Sequence, residues 1–185
     1  MILFPPAYRW LRDGRVLPLT IDKALSQYGI TETPGAGNNA TIMSWIPELT
    51  AQGVNVGDYN ADSIPWCGLF AAIIASRAGK GVPTNPLWAL NWAHYGAPTT
   101  KPSLGDILVF SRKTSTGTAG HVGWYIAEND ANYHVLGGNQ GDTVCFKQLP
   151  KARCVARRAT PYTNRPASAV PIRMTSGGAG PASEA

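Results

Sequence analysis

The chain reads as an α+β domain with N-terminal helices packed on a C-terminal antiparallel β-sheet. Apolar residues at helical spacing occupy roughly the first half, and short β-branched or aromatic runs separated by Gly, Asn, Asp and Pro occupy the second. A length of 185 residues suits one domain plus a tail, with a core that needs no disulfide or metal staples.

Residues 1–19 are rich in Pro and Arg and read as an extended N-terminal arm. Thr20 is placed as an N-cap for a short helix over Ile21 to Tyr28, with Gly29 as its stop. A loop rich in Gly, Asn and Pro follows. Helical spacing resumes from Ala40 to Leu49 through Ile42, Trp45, Ile46 and Leu49, with Pro47 expected to kink or end the helix. Pro65-Trp66-Cys67-Gly68 opens a buried helix that runs to Ala78 and stops at Gly79, and a further short helix is expected over Leu87 to Tyr95.

Beyond Pro102 the predicted strands are Asp106 to Phe110, His121 to Ala127, Tyr133 to Leu136, Thr143 to Phe146 and Cys154 to Arg158. The domain is expected to span residues 20–160. Residues 161–185, with a Ser-Gly-Gly-Ala-Gly-Pro-Ala-Ser stretch, are expected to be a flexible or partner-bound tail.

Sixteen basic against eleven acidic residues give a net charge of +5, which favours polyanions without choosing among them. Lys147, Lys151, Arg153, Arg157 and Arg158 lack aromatic interleaving or a nucleic-acid motif, so they read as a solvated face and no nucleic-acid partner is expected. No apolar run approaches the roughly 20 residues of a membrane span, so no stable membrane insertion is expected either. Three cysteines make an odd set that argues against a disulfide framework and leaves at least one thiol free.

The residue types that carry chemistry begin with Cys67, at the first turn of an apolar helix. Unpaired N–H groups and the helix dipole favour an anion there, so a lowered thiol pKa is expected. His121 opens a strand between small residues, Gly120 and Gly123, that leave room beside an imidazole. A histidine base needs a third polar group to fix its tautomer. Asn139 is the candidate, on a hairpin behind the ring, with Gln140, His134 and Glu128 as alternatives. Trp66, beside the nucleophile, is expected to wall the cleft and Gln140 to contact substrate, while the other tryptophans, Trp45, Trp88, Trp92 and Trp124, are assigned mostly to the core. Asp58, Asn60 and Asp62 alternate like the start of a calcium loop, but Ser63 and Leu69 stand where such a loop wants Gly and Glu. They read as a polar loop, and no metal and no cofactor are expected.

Four segments then share an order: Pro65-Trp66-Cys67-Gly68, Leu104-Gly105-Asp106-Ile107-Leu108-Val109-Phe110, Gly120-His121-Val122-Gly123 and Gly137-Gly138-Asn139-Gln140. Together they resemble the CHAP domain (cysteine, histidine-dependent amidohydrolase/peptidase), a branch of the NlpC-like papain-fold hydrolases, over roughly residues 20–160. The resemblance implies a papain-like core, a cell-wall peptidoglycan substrate, and cleavage of either the muramoyl-L-alanine amide or a peptide bond in the stem or cross-bridge. It also implies Cys67 as nucleophile, His121 as general base and then acid, and Asn139 as the residue that orients it. Many members place a glutamate behind the histidine, and no acidic residue is clearly placed for that beyond Glu128 or Asp142.

A protein deamidase or transglutaminase-like effector, and a non-catalytic wall-binding or phage structural module, are the competing readings. No secretory leader is evident at residues 1–6. The expectation is synthesis in a host cytoplasm and delivery to the wall by holin release, virion or secretion system, as a monomer and for bacterial lysis.

Overall fold

The computed structural model describes residues 4–14, 16–114 and 117–174. Three α-helices come first, α1 (Leu19–Leu25), α2 (Ala40–Ala51) and α3 (Cys67–Arg77). Six strands follow, β1 (Ala97–Pro98), β2 (Ile107–Thr114), β3 (Gly117–Glu128), β4 (Asn132–Gly137), β5 (Cys145–Pro150) and β6 (Cys154–Ala159). They form one antiparallel sheet in the order β1-β6-β2-β3-β4-β5. All five expected strands are present, and the two-residue β1 is additional.

Helix α3 is apolar all round and every residue from Cys67 to Ala75 is buried, as a helix sandwiched between layers must be. It ends in a Schellman motif: Lys80 N–H donates to the Ala75 carbonyl and Gly79 N–H to that of Ser76, with Gly79 at φ 66°. Asn39 caps α2 by accepting from the N–H groups of Thr41 and Ile42. That helix runs through Pro47 rather than stopping there. An interior proline costs about 3 kcal/mol, and burial of Ile42, Trp45 and Leu49 on the same face offsets it.

Helix α1 starts one residue before the expected cap. Thr20 lies inside it, with its hydroxyl on Tyr162 at 2.9 Å. The segment expected as a helix over 87–95 is a 3-10 turn, Ala89–His94.

The sheet has two apolar faces. Ile107, Val109, Val122, Trp124, Ile126 and Leu136 join the helices in the main core. Leu108, Phe110, Tyr125, Tyr133, Val135 and Leu149 form a second, smaller cluster.

Both flanking segments differ from expectation. Among the described residues of the segment expected as an extended arm, Pro6–Arg12 is a 3-10 helix that buries Tyr8 and Leu11, and Phe4 just ahead of it is also buried. Tyr8 stacks on Phe146 with ring centroids 4.0 Å apart. Its hydroxyl meets Nδ1 of buried His134 at 2.9 Å. Burial holds the His134 pKa below the ordinary imidazole value. His134 is thereby engaged in structure rather than behind His121.

The tail is likewise anchored as far as residue 174. Leu104 N–H donates to the Val170 carbonyl, Glu128 N–H to Ile172, and Met174 N–H to Glu128. Arg165 pairs with buried Asp106 at 2.8 Å. These backbone bonds give the segment partners that its composition does not advertise. The Ser-Gly-Gly stretch beyond it lies outside the described residues.

Candidate active site

Cys67 is the first residue of α3, and no side chain of the N-cap residue Trp66 satisfies the helix N-terminus. The thiol is almost enclosed, at 7% exposure. Burial pushes its pKa up; the N–H groups of Val122 and Gly68, the charge of Arg112 and its own N–H act in the opposite direction. The lowered pKa expected from helix position is therefore outweighed by desolvation. The same contacts place the sulfur against β3 at Val122, the residue after His121.

His121 faces Phe110 across the β2–β3 ladder. Its Nε2 lies 3.0 Å from Oε1 of Gln140. The Gln140 amide group is not free to turn over, because its Nε2 donates to the carbonyls of Cys145 at 2.5 Å and Val135 at 3.4 Å. An amide oxygen fixed toward the ring can only accept, so His121 Nε2 carries the proton and the neutral imidazole keeps its lone pair on Nδ1. Gln140, only 4% exposed, thus occupies the position expected of Asn139. Nor is it placed to contact substrate as expected, since both ends of its amide are taken within the fold.

Asn139 does different work. Its backbone is left-handed, at φ 54°, which Asn tolerates better than most residues. That conformation turns the side chain from His121 toward α3. With the amide oxygen toward α3, Asn139 accepts from Trp66 N–H at 3.2 Å and donates to Asp142 Oδ1 at 3.2 Å.

Close approach requires the second of the two glycines before it and leaves little room at the first. A Cβ on Gly137 would sit 3.2 Å from His121 Nε2, and one on Gly138 would sit 2.5 Å from Phe70 Cβ and 2.7 Å from Trp66 Cζ3. Residues 137–140 therefore clamp the two halves of the site together, with Gly138 and Asn139 on the Cys67 side and Gly137 and Gln140 on the His121 side.

The small residues flanking His121 make room for the fold rather than for a ligand. A Cβ on Gly120 would meet Leu90, and one on Gly123 would meet Val135. Trp66 is wholly buried among Trp45 and Phe70, and its Nε1–H donates to Glu32 at 3.0 Å, so it is no cleft wall. Trp88, by contrast, is 55% exposed. With Tyr59, Ile64, Pro65 and Leu87 it lines an apolar groove. Leu87 packs its carbonyl so closely on Gly68, the residue after Cys67, that no side chain would fit there. Exposure is set by tertiary packing, so nothing in the spacing of the tryptophans separates Trp88 from Trp66.

Glu128, another alternative for the third role, pairs with Lys151 at 2.8 Å and lies at the far end of β3. Asp58 and Asn60 are exposed, whereas Asp62 is buried and accepts from the N–H groups of Thr33 and Asn39, which fastens the 31–39 loop. Among the described residues no three His, Cys, Asp or Glu side chains are grouped to hold a metal ion. Among them, too, no helix is long and apolar enough to cross a membrane. Asp106 accepts from the N–H groups of Ser103 and Thr160 as well as from Arg165, a structural knot at the start of β2.

The CHAP domain family model matches residues 58–139. That span contains Cys67, His121 and the Gly137-Gly138-Asn139 clamp. No curated protein matches the chain. A crystal structure described as similar to lipoprotein, of the NLP/P60 family, from Staphylococcus aureus subsp. aureus Mu50, is similar at 15% identity with a TM-score of 0.47. The alignment covers 81% of this chain and 45% of that one, so the chain spans less than half of that protein's length. Residues 58–139 are therefore similar to the CHAP domain, and in this structure they lie within an α+β fold.

Proposed function

We propose that the chain hydrolyses an amide bond of the cell-wall peptide, either muramoyl-L-alanine or a stem or cross-bridge peptide bond, by cysteine nucleophilic catalysis, and that this serves bacterial lysis. The observation that carries the reading is the Gly137–Gln140 clamp. It holds a thiol at a helix N-terminus and a tautomer-fixed imidazole on the adjoining strand.

In the resting protein the buried thiol is neutral. Transfer of its proton to Nδ1 of His121 creates thiolate and imidazolium together, which compensates the cost of an isolated buried charge. The thiolate attacks the amide carbonyl, and the oxyanion is stabilised by N–H groups at the start of α3, including that of Cys67 itself. His121 returns its proton to the leaving amine. It then takes a proton from water, which attacks the thioester and frees the carboxylate and the thiol. Gln140 acts as a positioning residue throughout. The apolar groove at Trp88 is suited to the sugar or peptide chain flanking the amide.

Purified sacculi test the proposal. The wild-type protein clears their turbidity and releases new amino groups, while Cys67→Ala binds them without clearing. A protein deamidase would leave sacculi intact, and a non-catalytic module would behave the same with or without Cys67.

A further inference from the structure

Trp45, Trp66, Trp92 and Trp124 have no exposed surface, whereas more than half of Trp88 faces solvent. A tryptophan left in water forgoes the burial that makes its ring so large a contributor to a core. The loop that carries it is nevertheless pinned at several points. Asn91 donates from its side-chain amide to the Thr84 and Asn85 carbonyls, both at 3.1 Å. Trp92 Nε1–H donates to the Pro86 carbonyl at 2.8 Å, and Trp88 N–H to that of Asn85 at 3.1 Å. Leu87, between them, is packed on Gly68. The indole is thus presented on fixed backbone, so a ligand that covers it need not order the loop first. The groove it lines with Tyr59, Ile64, Pro65 and Leu87 encloses about 420 Å³, within the range of about 300–1,000 Å³ that holds small ligands.

We infer that this groove holds a neutral, N-acetylated sugar stacked on Trp88. The inference rests on the function proposed above, which supplies the glycan strand of the wall as the source of that sugar. None of the residues that line the groove is charged. The charged residues nearest to them in the chain, Asp58 and Asp62, are both acidic, and residues 81–93 contain none. A wall peptide brings free carboxylates, for which this surroundings offers no cation and a repelling Asp58; a neutral sugar needs no counter-charge. The flat indole matches the C–H face of a pyranose ring, and two carboxamides on the lining serve the polar edge. Asn55 uses its amide oxygen to accept from Gly57 N–H at 2.9 Å, which leaves its NH2 to donate. Asn85, held in the left-handed region at φ 49°, supplies the second amide. An acetamido group offers the carbonyl and the N–H that such amides pair with.

The test titrates the Cys67→Ala protein calorimetrically with a soluble β-1,4-linked tetramer of N-acetylglucosamine, with the glucose tetramer of the same linkage, and with a wall peptide whose carboxylates are amidated. Acrylamide quenching of tryptophan emission records whether Trp88 is covered. The N-acetylated tetramer should bind saturably and protect Trp88 from the quencher, with the glucose tetramer about threefold to tenfold weaker, the scale of one or two neutral hydrogen bonds. Trp88→Ala should weaken binding of both sugars about tenfold, and Trp88→Tyr, which keeps a ring, should restore most of it. Asn85→Gly suits the left-handed backbone and should remove the preference for the acetylated sugar without weakening the glucose tetramer. Absence of protection by either sugar overturns the inference, as does equal binding by wild-type and Trp88→Ala side chains. Tighter binding of the amidated peptide, lost in Trp88→Ala, overturns it by assigning the groove to peptide, and self-association lost in that variant overturns it in favour of a second copy of the chain. Clearing of sacculi is judged separately. Wild-type protein that clears them but binds no sugar upholds the proposed function and rejects this site, whereas sugar binding at Trp88 without clearing does the reverse.

Discussion

Replacing Gln140 by Ala removes three hydrogen bonds at once, those to His121 Nε2 and to the carbonyls of Val135 and Cys145. A buried polar partner left unsatisfied costs about 1–3 kcal/mol. The carbonyls can share what water enters the space, so a total loss of about 2–4 kcal/mol of stability is expected. For a chain of this size that is a fall in Tm of roughly 5–15 °C. The kinetic effect is larger. Without its acceptor, His121 loses both its tautomer preference and its ring orientation, and general acid–base catalysis of this kind is worth about 10²–10⁴-fold. We expect kcat on sacculi to fall about a hundredfold with KM nearly unchanged, measured below the melting range.

The matched control is Asn139→Gly, which suits the left-handed backbone and loses the bond to Trp66 N–H. It should cost about 1 kcal/mol and less than tenfold in kcat. If Asn139→Gly abolished turnover while Gln140→Ala retained it, the assignment of Gln140 as the positioning residue would be wrong.

Other perturbations probe the remaining parts of the site and its supports. Because burial raises the Cys67 pKa, alkylation of that thiol by iodoacetamide in His121→Ala should require more alkaline solution than in wild type, as read by peptide mass mapping across pH; an unchanged profile would show that the imidazole does not take the thiol proton. Gly138→Ala places a Cβ 2.5 Å from Phe70 Cβ and should cost about 1–3 kcal/mol with loss of lytic activity; native melting behaviour and full activity would remove the clamp from the account. His134 has a folded pKa below its unfolded one, so the neutral ring contributes stability above about pH 6.5, and that contribution is lost as pH falls from there through the folded value. Hydrogen exchange at residues 6–12 should accelerate over that window in wild type. In His134→Gln the acceleration should be absent, and its persistence would point to another titrating group.

The sequence order of Cys67, His121 and the Gly-Gly-Asn-Gln segment was enough to single out the residues that the fold gathers, because a cysteine at a helix start and a histidine on a strand leave separate local signatures. Which of two adjacent polar residues meets the imidazole was not legible. One left-handed residue at 139 sends neighbouring side chains in opposite directions, and φ is not written in composition. The thiol pKa had the same limit, since the helix N-terminus is a local feature whereas desolvation depends on everything packed around it. Trp66 and Trp88 differ in exposure for the same reason. The N-terminal segment did carry a readable signal in Phe4, Tyr8 and Leu11, spaced as one apolar stripe, beneath a Pro and Arg content that suggested an extended arm. Pro47 shows tertiary burial overriding a local breaker.

Mass spectrometry of muropeptides from sacculi digested by the wild-type and Cys67→Ala proteins reads the bond and the nucleophile together. Hydrolysis of one class of wall amide, with intact glycan strands and no products from the variant, is the result expected. Shortened glycan with every amide intact, or identical products from both proteins, would contradict it.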